Sequence, residues 1–98
     1  MKPANIKDQN ELFAALLTLE TAEEMRAFLN DLCTPGELAA FAERWAIAKH
    51  LNNGELGYRE IAAKTGASTT TVGRVARFLF QENHNGYKLA MDRLSSSK

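Results

Sequence analysis

The sequence predicts an all-α fold of about six helices. Three observations carry that expectation. Apolar residues recur at helical spacing in successive segments, and no stretch of useful length alternates apolar with polar as a half-buried strand does. The only two prolines, Pro3 and Pro35, suit a leader and a helix entrance rather than an interruption. The breaks between periodic segments carry Asn-Gly, Gly or capping residues. At 98 residues the chain is the size of one domain with a modest core, and dimerisation is a natural way to enlarge it.

The first helix is expected from near Asp8, where Asp8 and Glu11 resemble a capping box, with Leu12, Phe13, Leu16 and Leu17 as its apolar face. The second begins at Thr21-Ala22-Glu23-Glu24, a better capping box. Its stripe of Met25, Phe28, Leu29 and Leu32 keeps i, i+3, i+4, i+7 spacing, and it ends around Cys33. The third begins at Thr34-Pro35-Gly36-Glu37, with Thr34 as cap, Pro35 at N1 and Glu37 at N3, and runs to about Asn52. Asn53-Gly54 stops it. Its apolar residues Leu38, Phe41, Ala42, Trp45, Ile47, Ala48 and Leu51 wrap more than one face, which predicts neighbours on several sides, a second subunit among them. Past the break at Asn83-His84-Asn85-Gly86, Tyr87, Ala90, Met91 and Leu94 predict a short last helix, followed by a frayed tail Ser95-Ser96-Ser97-Lys98.

Several classes fall away. One cysteine, Cys33, permits no intrachain disulfide, and it reads as a small filler. His50 and His84 stand at no zinc-ligand spacing from it or from each other, so no metal site is expected. His50 reads as a polar-face residue and His84 as a turn residue. No apolar run approaches the ~18 residues of a membrane span. No h-region follows Met1-Lys2-Pro3-Ala4-Asn5, so the expectation is a soluble cytoplasmic protein with no membrane partner. Glu20, Glu23, Glu24 and Asp31 read as helix starts and solvated faces. Neither a catalytic constellation nor a phosphate loop is present, so an enzyme is not expected.

Charge is unevenly placed. Twelve basic residues balance twelve acidic ones. Yet residues 1–56 hold 5 Lys/Arg against 9 Asp/Glu, and residues 57–98 hold 7 against 3, so a −4 half precedes a +4 half. The basic half contains Tyr58-Arg59-Glu60-Ile61-Ala62-Ala63-Lys64-Thr65-Gly66-Ala67-Ser68-Thr69-Thr70-Thr71-Val72-Gly73-Arg74-Val75, the pattern of a helix-turn-helix. Ile61, Val72 and Val75 are apolar where two short helices share a face, and Ala62 is small where they cross. Gly66 stands where the turn needs positive φ, and Ser68 is a good N-cap. Thr69, Thr70 and Thr71 then fill the first turn of the second helix, the end that enters the DNA major groove in such motifs. Their hydroxyls can bond base edges or phosphates, and their methyls can meet thymine methyls. Arg59 and Lys64 can meet phosphates, and Arg74 and Arg77 follow along the second helix. The expected DNA-facing set is Tyr58, Arg59, Ser68, Thr69, Thr70, Thr71, Gly73, Arg74 and Arg77. The alternative is a helical protein–protein interaction module whose hairpin is structural only.

Thr34-Pro35-Gly36-Glu37, Arg44, Gly54-Glu55-Leu56, Arg59-Glu60-Ile61, Gly66-Ala67, Thr71 and Arg74 follow one another without gaps in spacing over about residues 32–80. In this the chain resembles the Trp repressor superfamily, and within it the Trp-repressor-related YerC/YecD-type proteins. The resemblance implies an intertwined, all-helical homodimer with two projecting helix-turn-helix heads. It implies transcriptional repression at a two-fold double-stranded DNA operator in a bacterial cytoplasm, with the protein on the nucleoid when bound. Residues 1–56 are then the N-terminal helices and dimerisation platform, with Leu12, Leu16, Phe28, Leu32, Phe41 and Trp45 in the dimer core. Residues 57–82 are the reading unit, and 83–98 the C-terminal helix and tail of what is one domain. Arg44 and Arg74 match the two arginines that sandwich the co-repressor tryptophan, and Thr34 matches a residue near that ligand. Val75 replaces an expected glycine and Phe78 an expected serine, both larger groups directed towards the slot. Thr34, Arg44, Arg74, Val75 and Phe78 therefore mark an effector pocket in which tryptophan binding is expected to be weak or absent. Phe78 fills the space, or the pocket takes another small molecule.

Overall fold

The computed structural model describes residues 5–96. Among them are six α-helices and no strand: α1 (Ile6–Leu17), α2 (Ala22–Leu32), α3 (Pro35–Asn53), α4 (Tyr58–Thr65), α5 (Thr69–Phe80) and α6 (Gly86–Ser96). The all-α expectation is met element by element. The chain forms two compact units, Met1–Leu38 and Ala39–Lys98, and the division falls inside α3.

In the first unit the caps decide where helices begin. Asp8 does not cap α1. Asn5 does, accepting the Asp8 backbone N–H at 3.0 Å, so the helix starts a turn earlier than the sequence pattern indicates. Asparagine is as good a cap as aspartate, and its placement leaves the Asp8 charge in the first turn, where the helix dipole favours it. Thr21 caps α2 as expected, accepting from the Glu24 N–H at 3.1 Å, but the Glu24 carboxylate returns to the N–H of Glu20 at 2.8 Å, one residue before the cap. At α3 the box is reciprocal: the Glu37 N–H donates to Thr34 Oγ1 at 3.1 Å and the Thr34 N–H to Glu37 Oε1 at 2.8 Å.

No residue of α1 or α2 is buried. Their periodic apolar residues Leu12, Leu16, Met25, Phe28 and Leu29 are half-buried, and Phe13, Leu17 and Leu32 are exposed, Leu17 by 86%.

The second unit holds the core. Ile47, Ala48 and Leu51 of α3 meet Ile61 of α4 and Val72, Val75, Ala76 and Leu79 of α5, with Leu56, Ala62, Ala67, Tyr87 and Met91 packed around them. Ile47, Ile61, Val72 and Val75 are fully enclosed. The C-terminal half of α3 thus supplies one wall of the core against α4 and α5. The wide apolar arc of α3 is only partly covered. Phe41 is 48% exposed and Trp45 half-buried, its ring 6.2 Å from that of Tyr87.

Two glycines end helices where an L side chain is strained. Gly54, with φ +77°, follows α3, and Gly66, with φ +82°, ends α4. The last helix extends further than the pattern implied. Ser95 and Ser96 belong to α6, where the Ser96 hydroxyl donates to the Asp92 carbonyl at 2.9 Å. Ser97 and Lys98, the rest of the expected frayed tail, lie outside the described residues.

Candidate nucleic-acid interface

The helix-turn-helix is built from α4, the turn 66–68 and α5. α4 starts at Gly57, whose N–H donates to Glu60 Oε1 at 3.0 Å, so the only acidic side chain of segment 57–80 is tied to a helix start. Thr65 tightens the exit. Its hydroxyl donates to the Ile61 carbonyl at 2.8 Å and receives the Ala67 N–H at 3.4 Å. The chain then reverses through Gly66 and enters α5 at Ser68, whose Oγ accepts the Thr71 N–H at 3.1 Å. Thr71 Oγ1 lies 3.1 Å from the same Ser68 Oγ. Ser68 is thus the cap the sequence predicted, and the Thr71 hydroxyl is part of that cap. Thr69 and Thr70 are exposed, and nothing among the described residues hydrogen-bonds their hydroxyls.

One helix period sorts α5 into two faces. Val72, Val75, Ala76 and Leu79 are buried against α3 and α4. Thr70, Gly73, Arg74 and Arg77, again at i, i+3, i+4, i+7, form the opposite stripe, with Thr70, Arg74 and Arg77 exposed. A Cβ built on Gly73 would meet no atom within 4 Å, so a glycine here is required by nothing inside the chain. Tyr58, Arg59 and Lys64 of α4 are also exposed, and among the described residues no carboxylate pairs with Arg59, Lys64 or Arg74.

Arg77 is different. Its Nε donates to Glu82 Oε2 at 3.2 Å, so part of its charge is already answered within the chain. Arg74 instead lays its guanidinium over the Phe78 ring, 4.5 Å from the centroid. Phe78 in turn stacks on His84, with centroids 5.9 Å apart and planes 12° from parallel. Phe78 and His84 also line, with Gly86 and Tyr87, an open cavity of about 290 Å³. Periodicity could not have found this group, because His84 reaches α5 from beyond the helix end, across a turn that follows no repeat. The sequence reading of His84 as a turn residue is right about its place and silent about this contact.

The backbone frame is shared with known proteins. The chain matches the family model described as Trp repressor protein over residues 7–95. It is 38% identical over 92 residues to YerC of Bacillus subtilis (strain 168), itself uncharacterized, covering 94% of this chain and 86% of that one. The chain belongs to the Trp repressor family. A crystal structure of a TrpR-like protein from Eubacterium eligens ATCC 27750 superposes with a TM-score of 0.86 at 37% identity, covering 93% of this chain and 92% of that one. A Staphylococcus aureus structure reaches a TM-score of 0.85 at 38% identity, covering 93% and 89%.

The residues marked for an effector pocket are distributed unevenly. Thr34 belongs to the first unit, where it caps α3. Arg44, in the second, sits with its guanidinium 5.9 Å from the Phe41 ring centroid. Val75 is corrected: rather than facing a slot it is wholly enclosed in the core, because it lies on the buried face of α5 with Val72 and Leu79. Phe78 is half-buried and occupies Arg74. Among the described residues no group of three or more His, Cys, Asp or Glu could hold a metal ion, and no helix is long and apolar enough to cross a membrane.

Proposed function

We propose that this protein is a sequence-specific DNA-binding transcriptional regulator, a homodimer that represses by occupying a two-fold operator. The observation that carries this reading is the outward stripe of α5: Thr70, Gly73, Arg74 and Arg77, backed by a fully buried opposite face and led by a Ser68-capped first turn with Thr69 exposed. Hydroxyls at the helix start suit base edges, while guanidinium groups along the helix and Arg59 and Lys64 on α4 suit phosphates. The segment 57–80 holds Arg59, Lys64, Arg74 and Arg77 against Glu60, a local +3. Family membership favours the same reading.

The dimer is supported by apolar surface left uncovered in a single chain: Phe13, Leu17 and Leu32 on α1 and α2, and Phe41 on α3. Leu12, Leu16, Phe28, Leu32, Phe41 and Trp45 form its core. Two heads then read half-sites about 34–36 Å apart. Residues 1–56 serve as the platform, 57–82 as the reader and 83–98 as the closing helix and tail. The site of action is the bacterial cytoplasm and nucleoid. Tryptophan binding is weak or absent in this reading, since a ligand indole would compete with Phe78 for the Arg74 guanidinium. Any small-molecule effector has a different shape.

The deciding experiment is selection of duplex sites from a random library at low salt, with and without candidate amino acids. Enrichment of a two-fold motif is expected. Recovery of no preferred sequence refutes the reading and leaves the helical interaction module in its place. Light scattering after gel filtration should give twice the chain mass, and calorimetry with L-tryptophan should give no micromolar heat.

A further inference from the structure

Arg74 and Arg77 stand one turn apart on the same outward face of α5, and both guanidinium groups lie within 6 Å of the Phe78 ring, at 4.5 and 5.8 Å from its centroid, but only Arg77 also meets a carboxylate. Arg77 is drawn to Glu82 at 3.2 Å. Arg74 has no carboxylate partner among the described residues and rests on an aromatic face, 4.5 Å from the Phe78 centroid. That face is itself fixed from outside the helix by the stacked His84 ring, at 5.9 Å and 12°. His84 Nε2 stands 3.9 Å from Glu82 Oε1, so the carboxylate that holds Arg77 also faces the imidazole. Phe78 is only half-buried and lies outside the enclosed core of Ile47, Ile61, Val72 and Val75, so the core does not require it.

We infer that Phe78 and His84 are positioning residues for Arg74 in DNA binding. They hold an unneutralised guanidinium in one place before any duplex arrives. The inference rests on the DNA-binding reading above. A free arginine side chain has large rotamer entropy to lose when it meets a phosphate or a base edge. A guanidinium already laid on a ring has lost part of it, and preorganisation of this kind appears as affinity. The ring leaves the charge intact, as a carboxylate would not. Arg74 is thus a ready cation and Arg77 one partly answered, with turn 81–85 supplying the His84 ring to the first and the Glu82 carboxylate to the second.

The test is duplex binding by fluorescence anisotropy on a selected site over a range of salt. Phe78→Leu removes the ring face and keeps apolar bulk, Phe78→Tyr keeps the face, and His84→Ala removes the outer ring from an exposed position. Phe78→Leu and His84→Ala are expected to weaken binding about two- to fivefold, the range of an exposed cation–aromatic contact. Phe78→Tyr should bind as the wild type does. In an Arg74→Ala background, Phe78→Leu and His84→Ala should cause no further loss, which a merely structural role would not produce. Equal losses with and without Arg74, or no loss in any variant while the wild type binds, overturn the inference and leave the DNA reading standing. Absence of duplex binding by the wild type overturns both. If Phe78→Leu does not fold, as unfolding curves will show, His84→Ala with its Arg74→Ala partner decides.

Discussion

Gly73→Ala separates what α5 needs for folding from what it presents outward. Gly73 lies in the interior of a twelve-residue helix, with ordinary negative φ, and a Cβ there would touch nothing within 4 Å. No strain and no clash opposes the substitution. Helix propensity alone then acts, and alanine is favoured over glycine by about 0.8–1 kcal/mol in a helix interior. For a domain of this size that raises the thermal midpoint by about 4–8 °C. The assay is thermal unfolding by circular dichroism at one fixed chain concentration, since a dimer's midpoint depends on concentration. A midpoint that stays or falls refutes the claim that the space above Gly73 is empty.

The same methyl group should have the opposite effect on DNA binding. It would stand between Thr70, Arg74 and Arg77 on the outward stripe. A duplex approaching close enough for base-edge contact meets it, and crowding of about 1.4 kcal/mol weakens the complex about tenfold. A more stable protein that binds its site more weakly is the expected pair of results. Unchanged affinity would mean that this stripe does not face the duplex at close range.

Other substitutions test separate parts of the reader. Thr70→Ala should relax base preference by about 1–3 kcal/mol at one position, seen as a flattened selection profile, with stability unchanged. Thr71→Ala should do the reverse, costing up to about 1 kcal/mol of stability by loosening the Ser68 cap while base preference survives. Glu82→Gln releases Arg77, and should tighten binding to random and selected duplexes alike and steepen the salt dependence by roughly one phosphate contact. Ile61→Ala empties a fully enclosed position and should cost about 2–5 kcal/mol in denaturant unfolding, a large part of the ~5–15 kcal/mol typical of a folded domain.

Local chemistry was legible in the sequence wherever it acts within a few residues. Thr34 and Glu37, Thr21 and Glu24, Ser68 and Thr71 are all three apart, so composition and spacing announce the caps. Gly54 and Gly66 mark their stops for the same reason. Ile61, Val72 and Val75 could be assigned to a shared buried face because helical period fixes which side they take. The start of α1 differs from the expected one because Asn5 and Asp8 are both competent caps and the apolar period does not distinguish them. The resemblance puts Val75 beside a ligand, whereas its burial is decided by the residues that α3 and α4 bring opposite it, which no local spacing displays. The Arg74–Phe78 contact is an i, i+4 pair within α5, whereas the His84 ring and the Glu82 carboxylate that join it depend on the path of turn 81–85, and no periodic pattern encodes a turn.

The neutral total charge bears on how many heads must act together. Each chain offers Arg59, Lys64 and Arg74 without a carboxylate partner among the described residues, while Arg77 is shared with Glu82. Three phosphates neutralised per head give a log–log salt slope of about −2.7, and a fourfold rise in salt then costs one head only ~40-fold in affinity. Two heads on one duplex double the slope to about −5.4 and the loss to ~2,000-fold. The acidic half of the chain adds nothing to this attraction, so a single head would be a weak polyanion binder. Strong, steeply salt-dependent binding to a two-fold site is therefore a signature of paired heads rather than of overall charge. A measured slope near −2.7 on a selected operator would mean that one head does the binding, and the uncovered apolar faces of α1 and α2 would need another explanation.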